Sequence, residues 1–280
     1  MTVAVAFLCS DGVVVAADSM LTPSVGNLPV GHHKGKKVSV LSGGQLFAFA
    51  GDQGQAERFK IMANGSYAAI ANAQHALDYP IGLTTSLIQQ FHATGIGNVI
   101  NVNTVLAYVH SDKQQCCIFE GAIQPRLLDT DHYYAALGSG KLAADPFLRF
   151  LVDVFCGSNS PPNTREAIFL ATWTIQHVID TNPGGVAGPI RVATLERNAQ
   201  GVFEPRELPV GEIEEHQQAI ESAAQALRTW RDAIQSGKAA DGLPSPPILS
   251  PPARTSIHSS AQHANNLDAS PHLITSEAVI

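Results

Sequence analysis

A threonine in second position can carry hydrolytic chemistry by itself. Once Met1 is trimmed, Thr2 presents a hydroxyl and a free α-amine on one residue, a nucleophile together with its own base. An α-amine ordinarily titrates at about 7.7 to 8.0, so it accepts a proton near neutrality and no histidine is required. No long propeptide is expected before Thr2, and removal of Met1 is the only maturation step expected. Thr2 opens an alternating apolar run that turns at Ser10-Asp11-Gly12 into Val13-Val14-Val15-Ala16-Ala17 and ends on Asp18. An aspartate at a strand end is ordinarily a turn residue. The basic cluster His32-His33-Lys34-Gly35-Lys36-Lys37 runs against an acidic background, and most such runs are solvated loops.

The elements that must position these residues alternate in type. Four short β-type runs (2–9, 13–19, 37–41, 46–50) are separated by Asp-Gly and Gly-Gly turn signals. Helices are expected over about 53–75 and 80–93, then strands at 99–110, 116–120 and 132–137. Two more helices, about 140–156 and 163–180, lead to a last strand pair at 190–195 and 202–203. Strands, helix pair, strands, helix pair, strands: this order predicts an α+β domain over residues 1–210, with helices on the outer faces of two packed sheets.

Residues 211–240 read as an appended amphipathic helix. Ile213, Ile220, Leu227 and Ile234 recur seven apart with Ala223 and Trp230 between them, which places one apolar stripe on the helix. Glu212, Glu214 and Glu215 lie in its first turn and Arg228, Arg231 and Lys238 near its end, as the helix dipole favours. Packing on its own domain and contact between subunits both account for the stripe. Residues 241–280, rich in proline and serine and without apolar periodicity, are expected to be disordered.

Composition narrows the field. The 280 residues, 45% hydrophobic and 15% charged, can bury a large core. No apolar run reaches the roughly 18 residues that span a bilayer, and no secretory signal is present, so a soluble cytoplasmic protein is expected. The formal charge of −7 disfavours a nucleic-acid partner. Cys9, Cys116, Cys117 and Cys156 have no zinc-type spacing and read as reduced thiols; neither metal nor cofactor is expected.

Five motifs in order carry a resemblance: Thr2 leading a strand, Gly12-Val-Val-Val-Ala-Ala-Asp-Ser19, Gly35-Lys36-Lys37-Val38, Phe49-Ala50-Gly51-Asp52 entering a helix, and Leu137-Gly138-Ser139-Gly140 entering another. Over residues 2 to about 205, including Asp180 and Gly184-Gly185, the chain resembles proteasome β-type subunits. The resemblance implies an N-terminal nucleophile hydrolase, a four-layer αββα sandwich assembled into a ring or stacked rings that cleaves peptides or unfolded proteins. An ATP-dependent unfoldase or adaptor is a candidate partner.

Carried over residue by residue, the resemblance makes Thr2 the nucleophile and Lys37 the charge that keeps its amine unprotonated and stabilises the alkoxide. Lys36 is the rival, but neighbouring side chains on a strand point to opposite faces. Asp18 is implied to pair with Lys37, and Ser139 and Asp180 to join a hydrogen-bond network around the amine. Ser139 is otherwise a helix N-cap. Pro183 stands where the family often has a serine, which leaves that network incomplete or completed by water. Ala48 takes the position of the family's usual glycine, whose amide forms the oxyanion hole. Leu46 and Ala50 fall where the family lines its primary specificity pocket, which implies an apolar pocket of modest size. The loop from Leu21 to Lys36 is longer than in simple family members. A noncatalytic ring or scaffold subunit, and an N-terminal nucleophile amidase acting on small amides, are the alternative readings.

Overall fold

β1 (Ala4–Leu8) and β2 (Gly12–Ala17) form the hairpin at the heart of the protein, paired from Ala4↔Ala17 to Leu8↔Val13. Its turn needs Gly12, because a Cβ there would lie 2.4 Å from the Leu195 carbonyl oxygen. The computed structural model describes residues 2–25, 28–95, 100–156, 160–182 and 184–236. The expected disorder over 241–280 therefore lies outside the described residues.

Along the chain follow the short strands β3 (Met20–Leu21), β4 (Ser24–Val25), β5 (Leu28–Pro29) and β6 (His33–Lys34), then β7 (Val38–Val40) and β8 (Leu46–Gly51). Helices α1 (Gln53–Ser66) and α2 (Asp78–Ala93) precede β9 (Val102–His110), β10 (Lys113–Glu120), β11 (Gln124–Leu127) and β12 (Tyr134–Leu137). After α3 (Lys141–Phe155) and α4 (Thr164–Thr181) come β13 (Arg191–Arg197), β14 (Phe203–Glu207) and α5 (Val210–Gln235). Two five-stranded sheets result, one ordered β12-β1-β2-β13-β14 and the other β11-β10-β9-β8-β7. Helices α3 and α4 pack on the first sheet, α1 and α2 on the second. The architecture is the expected αββα sandwich.

Strand alternation sorts the core into layers. Ala4, Ala6, Val13, Val15 and Ala17 of the first sheet meet Leu46, Ala48, Ala50, Val105 and Ala107 of the second, and the many alanines keep this inner layer thin. The outward residues of the second sheet are larger. Phe47, Phe49, Leu106, Tyr108 and Phe119 pack with Phe59, Leu87 and Phe91 of α1 and α2, and Phe59 meets Phe119 edge-on with centroids 4.8 Å apart.

Departures from the sequence reading have local causes. The expected helix over 53–75 ends at Ser66 and continues as a 3₁₀ turn over Tyr67–Asn72. There the Ser66 hydroxyl donates back to the Met62 carbonyl at 2.7 Å, beside Gly65, a combination that bends helices. Strand β11 is absent from the sequence reading; it carries Pro125 and lies at the edge of its sheet, where proline is tolerated.

In α5, Ile213, Ile220 and Ala223 are buried, α5 packs on α4, and Gln217 donates to Gln176 of α4 at 3.0 Å. Farther along the same stripe Leu227, Trp230 and Ile234 are 57%, 48% and 53% exposed. Among the described residues no helix is long and apolar enough to cross a membrane.

Candidate active site

The pleat decides between the two lysines. Lys36 turns outward and pairs with Glu207, whereas Lys37 is fully buried. Its ammonium donates to Thr2 Oγ1 at 2.9 Å and to the two Asp18 oxygens at 2.8 and 2.9 Å. Three donors meet three acceptors, so nothing on the ammonium is left unpaired. Asp18, also fully buried, accepts in addition from the backbone N–H of Val3 at 3.0 Å and of Met20 at 2.9 Å. These bonds lock the end of β2 against the start of β1. Burial pushes the Lys37 ammonium below the ordinary lysine value, while the charge and hydrogen bonds of Asp18 pull it back up.

Thr2 is held from its other side by the turn before α3. The Gly140 N–H donates to the Thr2 carbonyl at 3.0 Å, and the Thr2 N–H donates to Ser139 Oγ at 3.2 Å. Gly138 has a positive φ of 87°, and a Cβ there would lie 2.3 Å from the Thr2 carbonyl oxygen, so only glycine allows this approach. Gly140 occupies the helix N-cap position, which leaves the Ser139 hydroxyl free to face Thr2. Ser19, next to Asp18, donates from its N–H to the Ala187 carbonyl at 3.0 Å and from its hydroxyl to that of Pro189 at 2.5 Å. That tether to the segment after α4 was not anticipated from the sequence, since a serine beside an aspartate carries no distinguishing pattern.

The structure does not bring Asp180 to this cluster. Val178 faces the core, and two residues further on is about 200° round the helix. Asp180 is accordingly exposed and accepts from Gln176 Nε2 at 2.8 Å. Ala48 is fully buried between Val38 and Val105. The Phe49 N–H donates to the Lys37 carbonyl at 3.2 Å, so alternation along the strand turns the Ala48 N–H to the Val105 side, away from β7. Leu46 is sealed in the inner core. Ala50 borders the site, near enough that a Cβ on Gly138 would lie 2.9 Å from its methyl.

A cleft of about 710 Å³ opens at Thr2. Met20, Leu21, Ala50 and Ser139 line it together with residues the sequence reading did not select, among them His33, Asp52, Asn101 and Asn103. Asp52 belongs to a motif already noted; the two asparagines had no signal, because only folding brings β9 beside β8. The cysteines are unpaired, and burial pushes their thiols up, Cys156 to about 11 and Cys117 to about 12, which makes them poor nucleophiles at neutral pH. Among the described residues no group of three or more His, Cys, Asp or Glu side chains is placed to hold a metal ion.

Two facing five-stranded sheets between helix pairs, with a threonine leading the first central strand, define the N-terminal nucleophile hydrolase class of fold. The family model for proteasome subunits matches residues 2–188, and the chain belongs to the proteasome subunit family. No curated protein sequence matches the chain. A solved structure, the Anbu (Gly-1) mutant from Hyphomicrobium sp. strain MC1, superposes with a TM-score of 0.59 at 16% identity, covering 89% of this chain and 100% of that one. At that identity the likeness speaks for the fold.

Proposed function

We propose that the protein is a threonine-type endopeptidase of a self-compartmentalising, proteasome-like assembly, with Thr2 as nucleophile after removal of Met1. The observation that carries this reading is the buried Lys37 ammonium shared between Thr2 Oγ1 and Asp18. A scaffold has no use for a desolvated cation aimed at the hydroxyl of its second residue.

The chemistry runs through Thr2 itself. Its α-amine takes the hydroxyl proton as Oγ1 attacks the scissile carbonyl carbon, and the proton then passes to the leaving amine as the C–N bond breaks. Water, activated by the same amine, hydrolyses the Thr2 ester and regenerates the hydroxyl. Lys37 stays protonated throughout: its donors already serve Asp18 and Oγ1, so it stabilises the developing alkoxide instead of acting as a base. Ser139 Oγ, the acceptor for the Thr2 nitrogen, orients the amine. Of the residues carried over from the family, Thr2, Asp18, Lys37 and Ser139 have roles in this scheme, and no step is assigned to Asp180 or Ala48.

The substrates proposed are peptides or unfolded chains, cleaved in a cytoplasmic homo-oligomeric ring or stack of rings fed by an unfoldase or adaptor. The test is intact mass followed by labelling with a peptide epoxyketone or boronate. Loss of Met1 and a label confined to Thr2 are expected. A protein that keeps Met1 and takes no label would return the chain to the scaffold reading, and turnover restricted to small amides would favour the amidase.

A further inference from the structure

We infer that the cleft at Thr2 selects peptides with a cationic side chain, arginine or lysine, and that Asp52 determines this preference. The inference rests on the peptidase reading above and adds the substrate class. Because Leu46 lies in the sealed inner core, it does not form the apolar floor that its position in the sequence suggested. The cleft instead combines a few apolar groups, Met20, Leu21 and Ala50, with the amides of Asn101 and Asn103 and the carboxylate of Asp52.

Asp52 is the one carboxylate among the described residues lining this cleft. Asp18 lies behind the site, neutralised by Lys37. The sequence segments 24–29 and 96–99, whose side chains lie outside the described residues, contain no ionisable residue. Asp52 Oδ1 accepts the Gln55 N–H at 2.8 Å as the cap of α1, and its N–H donates to the Asn101 carbonyl at 2.7 Å. Oδ2 has no hydrogen-bond partner among the described residues. The carboxylate is thus held in place by one oxygen while the other remains available.

The combination suits a long amphipathic side chain. The methylenes of arginine or lysine can pack on Met20 and Leu21 while the charged head reaches Asp52 and the asparagine carbonyls. His33 also lines the cleft, so all peptides and variants are compared at one pH.

The variant is Asp52→Asn, because asparagine caps a helix as well as aspartate does and removes only the charge. Two measurements separate this inference from the peptidase reading. In the first, kcat/KM is compared for peptides that differ only in Arg, Leu or Glu at the cleaved position. Arg is expected to lead, and Asp52→Asn to lower its kcat/KM about fivefold, the scale of an exposed ion pair, with Leu changing less than twofold. The second uses Thr2→Ala protein, which needs no turnover: fluorescence anisotropy of labelled peptides should show the Arg peptide bound more tightly than Leu, and Asp52→Asn should cancel the difference. Equal binding of Arg and Leu peptides, or an equal loss for both on Asp52→Asn, would overturn the inference while leaving Thr2 as nucleophile untouched. Retained hydrolysis in Thr2→Ala would instead overturn the peptidase reading.

Discussion

The end of the molecule that holds Thr2 and the far end of α5 stand in opposite relations to the rest of the chain. Around Lys37 every polar group is matched from within: three donors, Asp18 with both oxygens occupied, and no exposure of either side chain. On α5 the chain covers Ile213, Ile220 and Ala223 but leaves Leu227, Trp230 and Ile234 bare, although all six belong to one stripe. The first arrangement is complete without a partner. The second is complete only if something outside the described residues covers it, and a second subunit of the proposed ring is the natural cover.

The strongest way to break the contrast is at the nucleophile. Thr2→Ala removes a hydroxyl but leaves the backbone bonds of Thr2 to Gly140 and Ser139. Peptide hydrolysis should fall about a hundredfold or more, while the melting temperature stays near that of the parent. Turnover at the parental rate would eliminate the mechanism.

Lys37→Ala should be nearly as inactive, and it should also destabilise the fold. Stripping the cation from a fully buried carboxylate costs about 3–5 kcal/mol, readable as a shift in denaturant midpoint. Lys36→Ala, which loses only a surface pair with Glu207, should keep both activity and midpoint. A dead Lys36→Ala beside an active Lys37→Ala would reverse the assignment.

At the other end the expected change is in assembly. Cutting before Gly211 removes the whole stripe, worth about 1.5–3 kcal/mol for each large side chain it buries, and should lower the mass seen by light scattering or the solubility. Because that cut also uncovers α4, Leu227→Ser with Trp230→Ser is the sharper test. The pair should reduce oligomer mass with little change in melting temperature. Cutting after Gly242 should leave mass and hydrolysis close to those of the full chain. If every one of these proteins assembles normally, α5 is not an assembly element, and docking of an unfoldase or adaptor becomes the better account of its bare end.

The smallest effect is in the pH profile. Activity should rise as the Thr2 amine loses its proton, below the ordinary range of about 7.7 to 8.0, because the Lys37 ammonium held 2.9 Å from Thr2 Oγ1 disfavours a second positive charge beside it. It should fall again as Lys37 loses its own, at a pH below the ordinary lysine value of 10.5, because burial lowers it. The sign for stability is opposite to that of a stabilising ion pair formed at the surface. Between the lowered folded value and 10.5 the unfolded chain binds more protons, so the contribution of Lys37 to stability increases with pH. An alkaline limb at or above 10.5 would show that Asp18 outweighs burial.

What could be read from the sequence was what has a period or a fixed turn chemistry. Ser10-Asp11-Gly12 between two apolar runs announces the β1–β2 hairpin, and period-two alternation lets only one of Lys36 and Lys37 point inward, the choice of Lys37 resting on the family pattern and on Val38 after it. The two-residue strands β3 to β6 are too short to carry a period, and β11 hides behind Pro125. Asp180 was selected by its place in a motif, without regard to helix phase, and phase puts it on the exposed side of α4. The same motif matching placed Ala48 and Leu46, yet hydrogen-bond direction along β8 and depth below the cleft depend on which strands flank it. Asn103 of β9 and Asn101 just before that strand enter the cleft from more than fifty positions beyond Ala48 by sequence number, and nothing local marks them.

The turn at Gly138 grips the carbonyl of Thr2, an atom that trimming of Met1 does not touch. Folding and maturation are therefore separable in time for the proposed peptidase. The pocket is assembled while the nitrogen is still an amide, and activation amounts to cutting one bond with no rearrangement to wait for. Followed in a single reaction with methionine aminopeptidase, the loss of Met1 by mass and the appearance of hydrolysis should trace one curve, without a lag between them.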